Sequence, residues 1–236
     1  MHPTGRSFLR GVTDAAPFLI VIVPFAMLFG VLAAEADLDL FEIVAFSVTV
    51  FAGASQFAAL ALLQENAPVL VILATALAVN LRMMMYSVAL APHFGAAPVG
   101  VRAVMAYFLI DQSFALSLAE FDKRPALSMA EKLAYFFGVV APIVPMWMAS
   151  TVAGAVMGQA IPPEFALDFA VPITFLAMTA PMIRTAAHGV AGVVSVGLVL
   201  ALGWMPYGTG LLVAAAVGMA SGALVEVWTG RRRAAA

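Results

Sequence analysis

Three stretches of this sequence put amide, carboxylate and guanidinium groups inside long apolar runs. "AVNLRMMMYS" carries Asn80 and Arg82 between "PVLVILATAL" and "VALAP". "YFLIDQSFALSLAE" carries Asp111 and Gln112, and "FAGASQFAALAL" carries Gly53, Ser55 and Gln56. An arginine near the middle of a lone membrane helix costs about 2.5–3.5 kcal/mol, offset only when it finds an anion or acceptors. A buried carboxylate in turn must be paired or take up a proton. No other basic residue lies as deep as Arg82, so it is the expected countercharge of Asp111. Such a pair could bind a zwitterion, Arg82 gripping the carboxylate in bidentate fashion and Asp111 the ammonium. Asp111 could equally carry a coupling proton. The plain alternative is a structural pair that pins helices, or an Arg82 that snorkels to an interface.

The remaining polar groups divide in the same way. Gln56 brings two donors and an acceptor that need partners when buried. Gly53 and Ser55 permit close helix packing or local unwinding. In "TAPMIRTAAHG", Arg184 and His188 fall at a predicted helix end, where a solvated anchor is the simpler role and a pH sensor the sharper one. Met83, Met84 and Met85, with Phe51 and Phe57, could line an adaptable pocket, but such residues also serve as ordinary packing or lipid-facing groups.

The elements that must hold these groups follow from composition. The chain is 64% hydrophobic and 10% charged, against about 25% charged in a globular domain. The apolar residues come in runs near the 20 or so needed to cross a bilayer, without the alternation of barrel strands. This predicts an all-α polytopic integral membrane protein. Net charge is −2 and basic residues cluster only at the terminal "RRR", which gives no footing for nucleic acid. The absence of cysteine excludes disulfides, thiolate metal sites and cysteine catalysis, and no metal or cofactor is expected. An intramembrane enzyme has little support, since there is no HExxH and nothing places Ser, His and Asp together.

Pro, Gly and polar breaks predict helices over 13–34, 41–63, 67–92, 101–120, 132–158, 168–185, 189–203 and 207–228, about eight transmembrane helices in one domain. The seventh is short for a crossing and is expected to tilt or to pair with the eighth. The first apolar run lacks a small-residue cleavage site and reads as a helix, not a leader. With both termini cytoplasmic, Arg6, Arg10, Lys123, Arg124, Lys132, Arg184 and Arg231–Arg233 fall inside, as the positive-inside rule requires. Glu35, Asp37, Asp39, Glu164 and Asp168 fall outside, and only His93 and Arg102 go against the trend. A faint internal duplication relates 13–120 to 132–228: Ala16-Pro17 matches Ala141-Pro142, and Phe51 matches Phe175. Transporters are commonly built from such repeats.

The series "FAGASQFAALALL", "NLRMMMYSVALAP", "LIDQSFAL" and "ALDFAVPITFLAMTAPMIR" resembles the AzlC family of branched-chain amino acid exporters over nearly the whole chain. The resemblance implies a secondary transporter that exports leucine, isoleucine or valine across a bacterial inner membrane, driven by the proton-motive force, with a small AzlD-type membrane subunit as partner. The positions it matches are Gly53, Gln56, Asn80, Arg82 and Asp111. Two departures are Met83, where the family commonly has His, and Gln112, where it commonly has Glu. Both remove a titratable group, which shifts any proton role onto Asp111 and leaves room for a broader substrate such as methionine. The rival functions are a passive facilitator for small solutes and a non-transporting membrane scaffold.

Overall fold

The computed structural model of the chain describes residues 2–158, 183, 185–206 and 209–234, with side chains through Thr229 in the last helix. The helices are α1 (Pro3–Ala15), α2 (Leu19–Glu35), α3 (Leu40–Thr49), α4 (Gly53–Gln64), α5 (Val69–Phe94), α6 (Val99–Tyr107), α7 (Asp111–Lys123), α8 (Met129–Gly158), α9 (Ala186–Ala201) and α10 (Thr209–Ala234). A 3-10 turn, Ala16–Phe18, joins α1 to α2. Pro3–Glu35, Val69–Phe94, Met129–Gly158 and Thr209–Thr229 are long and apolar enough to cross a bilayer. The protein is therefore all-α and polytopic, as composition predicts. The helix expected at 168–185, with Arg184, Phe175, Asp168 and Glu164, and the Arg231–Arg233 side chains lie outside the described residues.

The described residues of Met1–Leu60 with Val79–Phe165 form one compact unit, and those of Ala61–Ala78 with Ala166–Ala236 a second. The first is built on two long helices that run parallel. Gly11 faces Tyr135 and Val139, and further along Gly30 faces Thr151 and Ala155. Small residues let the backbones touch: a Cβ on Gly30 would overlap the Thr151 carbonyl oxygen, and one on Gly154 the carbonyl oxygen of Met27. Such close approach is how membrane helices gain packing energy when lipid offers no hydrophobic drive.

Against this pair, the segments predicted as single helices at 41–63 and 101–120 each prove to be broken. The first stops at Thr49 and restarts at Gly53, the second stops at Tyr107 and restarts at Asp111. The α3 start is set by a reciprocal cap, Asp39 accepting from the Glu42 amide at 2.8 Å and Glu42 from the Asp39 amide at 2.9 Å. Beyond the break the chain turns back. Gln56 donates to Ser47, nine residues earlier, at 3.0 Å. Nine residues of straight helix would separate their backbones by about 14 Å, too far for that bond. Phe46 and Phe57 also both pack on Phe29, at 5.6 and 5.7 Å between ring centroids. The start of α4 therefore heads back toward the α2 end from which α3 entered.

The α6–α7 pair is a hairpin of the opposite sense. From its start beside the end of α5, α6 runs inward until Tyr107 reaches Phe51, centroids 6.3 Å apart. Then α7 returns, so that Phe121 lies 5.4 Å from Phe94 and Glu120 pairs with Arg10 at 2.8 Å. His93 lies 3.4 Å from Lys132. The ends of α5 and α7 and the starts of α1 and α8 thus gather at one end of the unit. The expected crossings at 41–63 and 101–120 are corrected on this point, and with them the placing of His93 and Arg102 apart from Arg10, Arg124 and Lys132.

Hydroxyls close the backbone left open at the breaks. Tyr107 Oη donates to the Val48 carbonyl, one of the last four of α3 and without a helical partner. Ser55 Oγ donates to the Ala52 carbonyl at 2.9 Å, and Ser113 Oγ accepts from the Ile110 amide at 2.9 Å. Tyr107→Phe should lower the thermal midpoint in detergent by about 2–4 °C, the worth of one net hydrogen bond of about 1 kcal/mol in a chain of this size. An unchanged midpoint would show that the two breaks do not depend on this link.

In the second unit α9 lies along α10. Ser195 Oγ donates to the Ala214 carbonyl at 3.3 Å, and Gly222 admits Ala191. At 16 residues, α9 is about 24 Å long, short of a hydrocarbon core of about 30 Å. It forms the expected pair with the last helix.

Candidate functional site

Two polar networks of the first unit converge on α5, and the hairpins bring both. The first joins α5 to α7. Arg82 Nη1 lies 3.3 Å from Asp111 Oδ2, and Tyr86 Oη donates to Asp111 Oδ1 at 2.8 Å. Tyr86 stacks on Phe114, centroids 4.2 Å apart and planes 9° from parallel. Arg82 and Tyr86 share a face of α5 because side chains four apart are neighbours on a helix. Asp111 is the first residue of α7, where the helix dipole favours a negative charge. The ion pair is not sealed, since both side chains are 31% exposed.

The second network joins α5 to the α3–α4 hairpin. Asn80 Nδ2 donates to Ser55 Oγ at 3.1 Å, and Gln56 Nε2 to Ser47 Oγ at 3.0 Å. Ser55 and Gln56 are fully buried. Asn80 and Arg82, two apart, project to different sides of α5, which is why one meets α4 and the other α7. Three buried atoms of these networks have no hydrogen-bond partner among the described residues: Arg82 Nε, Asn80 Oδ1 and Gln56 Oε1. That leaves one donor and two acceptors unused in places where unmet polar atoms are costly.

The expected pairing of Arg82 with Asp111 is thus present, and Gln56 and Asn80 are engaged through serines. Gly53 is a packing position: a Cβ there would run into the Phe25 ring and lie 2.8 Å from the edge of Trp147. Gln112 makes no side-chain hydrogen bond among the described residues, and Met84 and Met85 are exposed. Phe51 belongs to an aromatic cluster with Phe108 and Trp147, at 6.2 and 6.0 Å. His188 belongs to the second unit and sits in the first turn of α9, its amide donating to the Thr185 hydroxyl at 3.2 Å. Tyr86, Ser47, Tyr107 and Ser113 were missed. The spacing of four from Arg82 was a signal for Tyr86; nothing local marked the others. No cluster among the described residues could hold a metal ion.

The family model described as AzlC protein matches residues 17–161, the span that contains both hairpins and both networks. The chain belongs to the AzlC family. Among proteins similar to it, Inner membrane protein YgaZ of Escherichia coli (strain K12) is 28% identical over 180 residues, 74% of this chain and 72% of that one. An uncharacterized membrane protein of Archaeoglobus fulgidus is 26% identical over 243 residues, 98% of this chain and all of the other. No solved structure matches the chain. As an AzlC protein it is a membrane protein of a transport-related family.

Proposed function

We propose that this AzlC protein is the large subunit of a secondary transporter that exports branched-chain or similar neutral amino acids across the bacterial inner membrane, coupled to the proton-motive force. The observation that carries this reading is the Arg82–Asp111 pair at 3.3 Å, set on α5 and on the first residue of a half-helix. Broken helices at mid-membrane are where transporters place substrate and coupling ions. A zwitterion suits an existing ion pair. Its carboxylate takes the Arg82 fork and its ammonium takes Asp111, so one pair becomes two and no net charge enters the membrane. Tyr86 holds the carboxylate of Asp111 in place during that exchange. Asp111 can also take a proton when Arg82 is drawn to the substrate. Gln56 and Asn80 supply amide hydrogen bonds, and the hairpin they anchor shapes the site.

The end of the first unit that holds Arg10, Lys123, Arg124 and Lys132 is then cytoplasmic, with both termini. His93 and Arg102 join that side and the positive-inside rule loses its two exceptions. The parallel run of Pro3–Glu35 and Met129–Gly158 is what a repeat axis along the membrane normal would give, with 13–120 and 132–228 as the two repeats. A small AzlD-type subunit completes the transporter.

The test is counterflow in liposomes with that partner coexpressed. Vesicles loaded with unlabelled leucine, isoleucine, valine or methionine should draw in labelled leucine, and a proton gradient should drive accumulation. Counterflow without accumulation would make it a facilitator. Folded protein with its partner and no counterflow for any of the four would sink the amino-acid reading.

A further inference from the structure

A second feature of the first unit lies beside the ion pair and takes no part in it. A cavity of about 270 Å³ is lined by Ser87, Leu90, Ala91 and Phe94 of α5, by Arg102, Met105 and Ala106 of α6, and by Leu109 and Phe136. The spacing is helical on both walls: 87, 90, 91, 94 on one and 102, 105, 106 on the other, each a single face, with Leu109 just beyond the end of α6. The walls are almost wholly apolar, with one hydroxyl and one guanidinium. Arg102 pairs with no carboxylate among the described residues, unlike Arg10, Arg82 and Arg124. It is exposed at one end of the cavity, beside Gly95 at the turn between α5 and α6. At the other end Ser87 follows Tyr86 directly and Leu109 is two residues before Asp111, so the lining of the cavity ends on chain neighbours of the site. Arg102 and Ala106, four residues apart, are separated by about 6 Å along the helix.

We propose that this cavity is the vestibule through which substrate enters the Arg82–Asp111 site from the Lys132 end, with Arg102 capturing the carboxylate of an apolar amino acid at the mouth. This rests on the transport reading above. Charge and shape choose the occupant: a lone guanidinium asks for an anion, best a carboxylate that fits its fork, and the walls behind it ask for a compact aliphatic side chain. The cavity has no acidic residue in its lining, so it holds the ammonium less firmly than Asp111 does. That difference gives a direction, from loose capture at Arg102 to a full ion-pair exchange at Asp111. Ser87 Oγ offers the ammonium an acceptor on the way.

Because the chain has no cysteine, Ala106→Cys gives it a single thiol, on the wall of this cavity, and labelling is read on this chain after it is separated from the partner. In proteoliposomes with the partner, a membrane-impermeant thiol reagent added at the Lys132 end should label it, and leucine should protect it. Arg102→Ala in the same background should raise the leucine concentration for half-protection about tenfold, the low end of what a charge-assisted hydrogen bond is worth, while Arg102→Lys should raise it less. Absence of labelling would overturn the proposal, as would protection that is equal with and without Arg102. Protection by oleate and not by leucine would overturn it in favour of a lipid site. Counterflow by wild type in the same preparation separates the failures: counterflow without protection removes the vestibule alone, and no counterflow removes the transport reading.

Discussion

Arg82→Ala should abolish leucine counterflow, at least about a hundredfold below wild type, the loss expected when a charge-assisted grip on substrate of up to about 3 kcal/mol goes. Arg82→Lys should recover only part, about tenfold below wild type, since a point charge cannot reproduce the planar fork. The chain itself should survive both changes. Asp111 keeps its bond from Tyr86 at 2.8 Å and its place at a helix N-terminus, and if left without a countercharge it can take up a proton. Size-exclusion profile and thermal midpoint in detergent check that survival. A folded Arg82→Ala protein with wild-type counterflow would remove Arg82 from the site.

Gly154→Leu should act in the opposite way, by preventing the folded state. A Cβ at residue 154 would overlap the Met27 carbonyl oxygen, and that atom belongs to backbone and cannot swing aside. The neighbouring contact is tight too: Gly158 meets Val31 with its would-be Cβ 2.9 Å from the Cα. To admit leucine the two parallel helices must part, and every small-residue contact between them loosens together. Overpacking a core costs about 1–3 kcal/mol and occasionally more, and a clash with backbone falls at the upper end, so the thermal midpoint should fall by about 10 °C, with most of the protein lost to aggregation. Gly100→Leu is the control, because nothing lies within 4 Å of a Cβ there, and it should change neither quantity. Equal behaviour of the two variants would contradict the α2–α8 interface.

Much of this was legible in the sequence. Apolar runs gave the helical membrane fold, and the depth of Arg82 and Asp111 in such runs gave their pairing. The breaks were not legible. Val50-Phe51-Ala52 and Phe108-Leu109-Ile110 are as apolar as the helices they interrupt, so hydropathy runs straight through them, and neither contains proline. Gly53 hinted at unwinding, but its small size serves packing against Phe25 and Trp147. The bonds that stabilise the breaks come from residues distant in sequence, Tyr107 to Val48 and Asn80 to Ser55, and local pattern cannot announce them. One indirect signal was present. His93 and Arg102 were exceptions to the expected distribution of charge, and the structure gathers them at the end that holds Lys132 because two segments counted as crossings turn back.

If Arg82 and Asp111 bind substrate and do not merely pin α5 to α7, removing both charges together should stop transport and spare the fold. The most direct test is leucine counterflow by the double variant Arg82→Met, Asp111→Leu, which replaces the ion pair by apolar side chains without leaving a lone charge. Such replacements are often neutral for stability, so the protein should fold and assemble as wild type does. It should carry no leucine at all. A folded double variant with counterflow near the wild-type rate would contradict it and leave the pair a structural fastening.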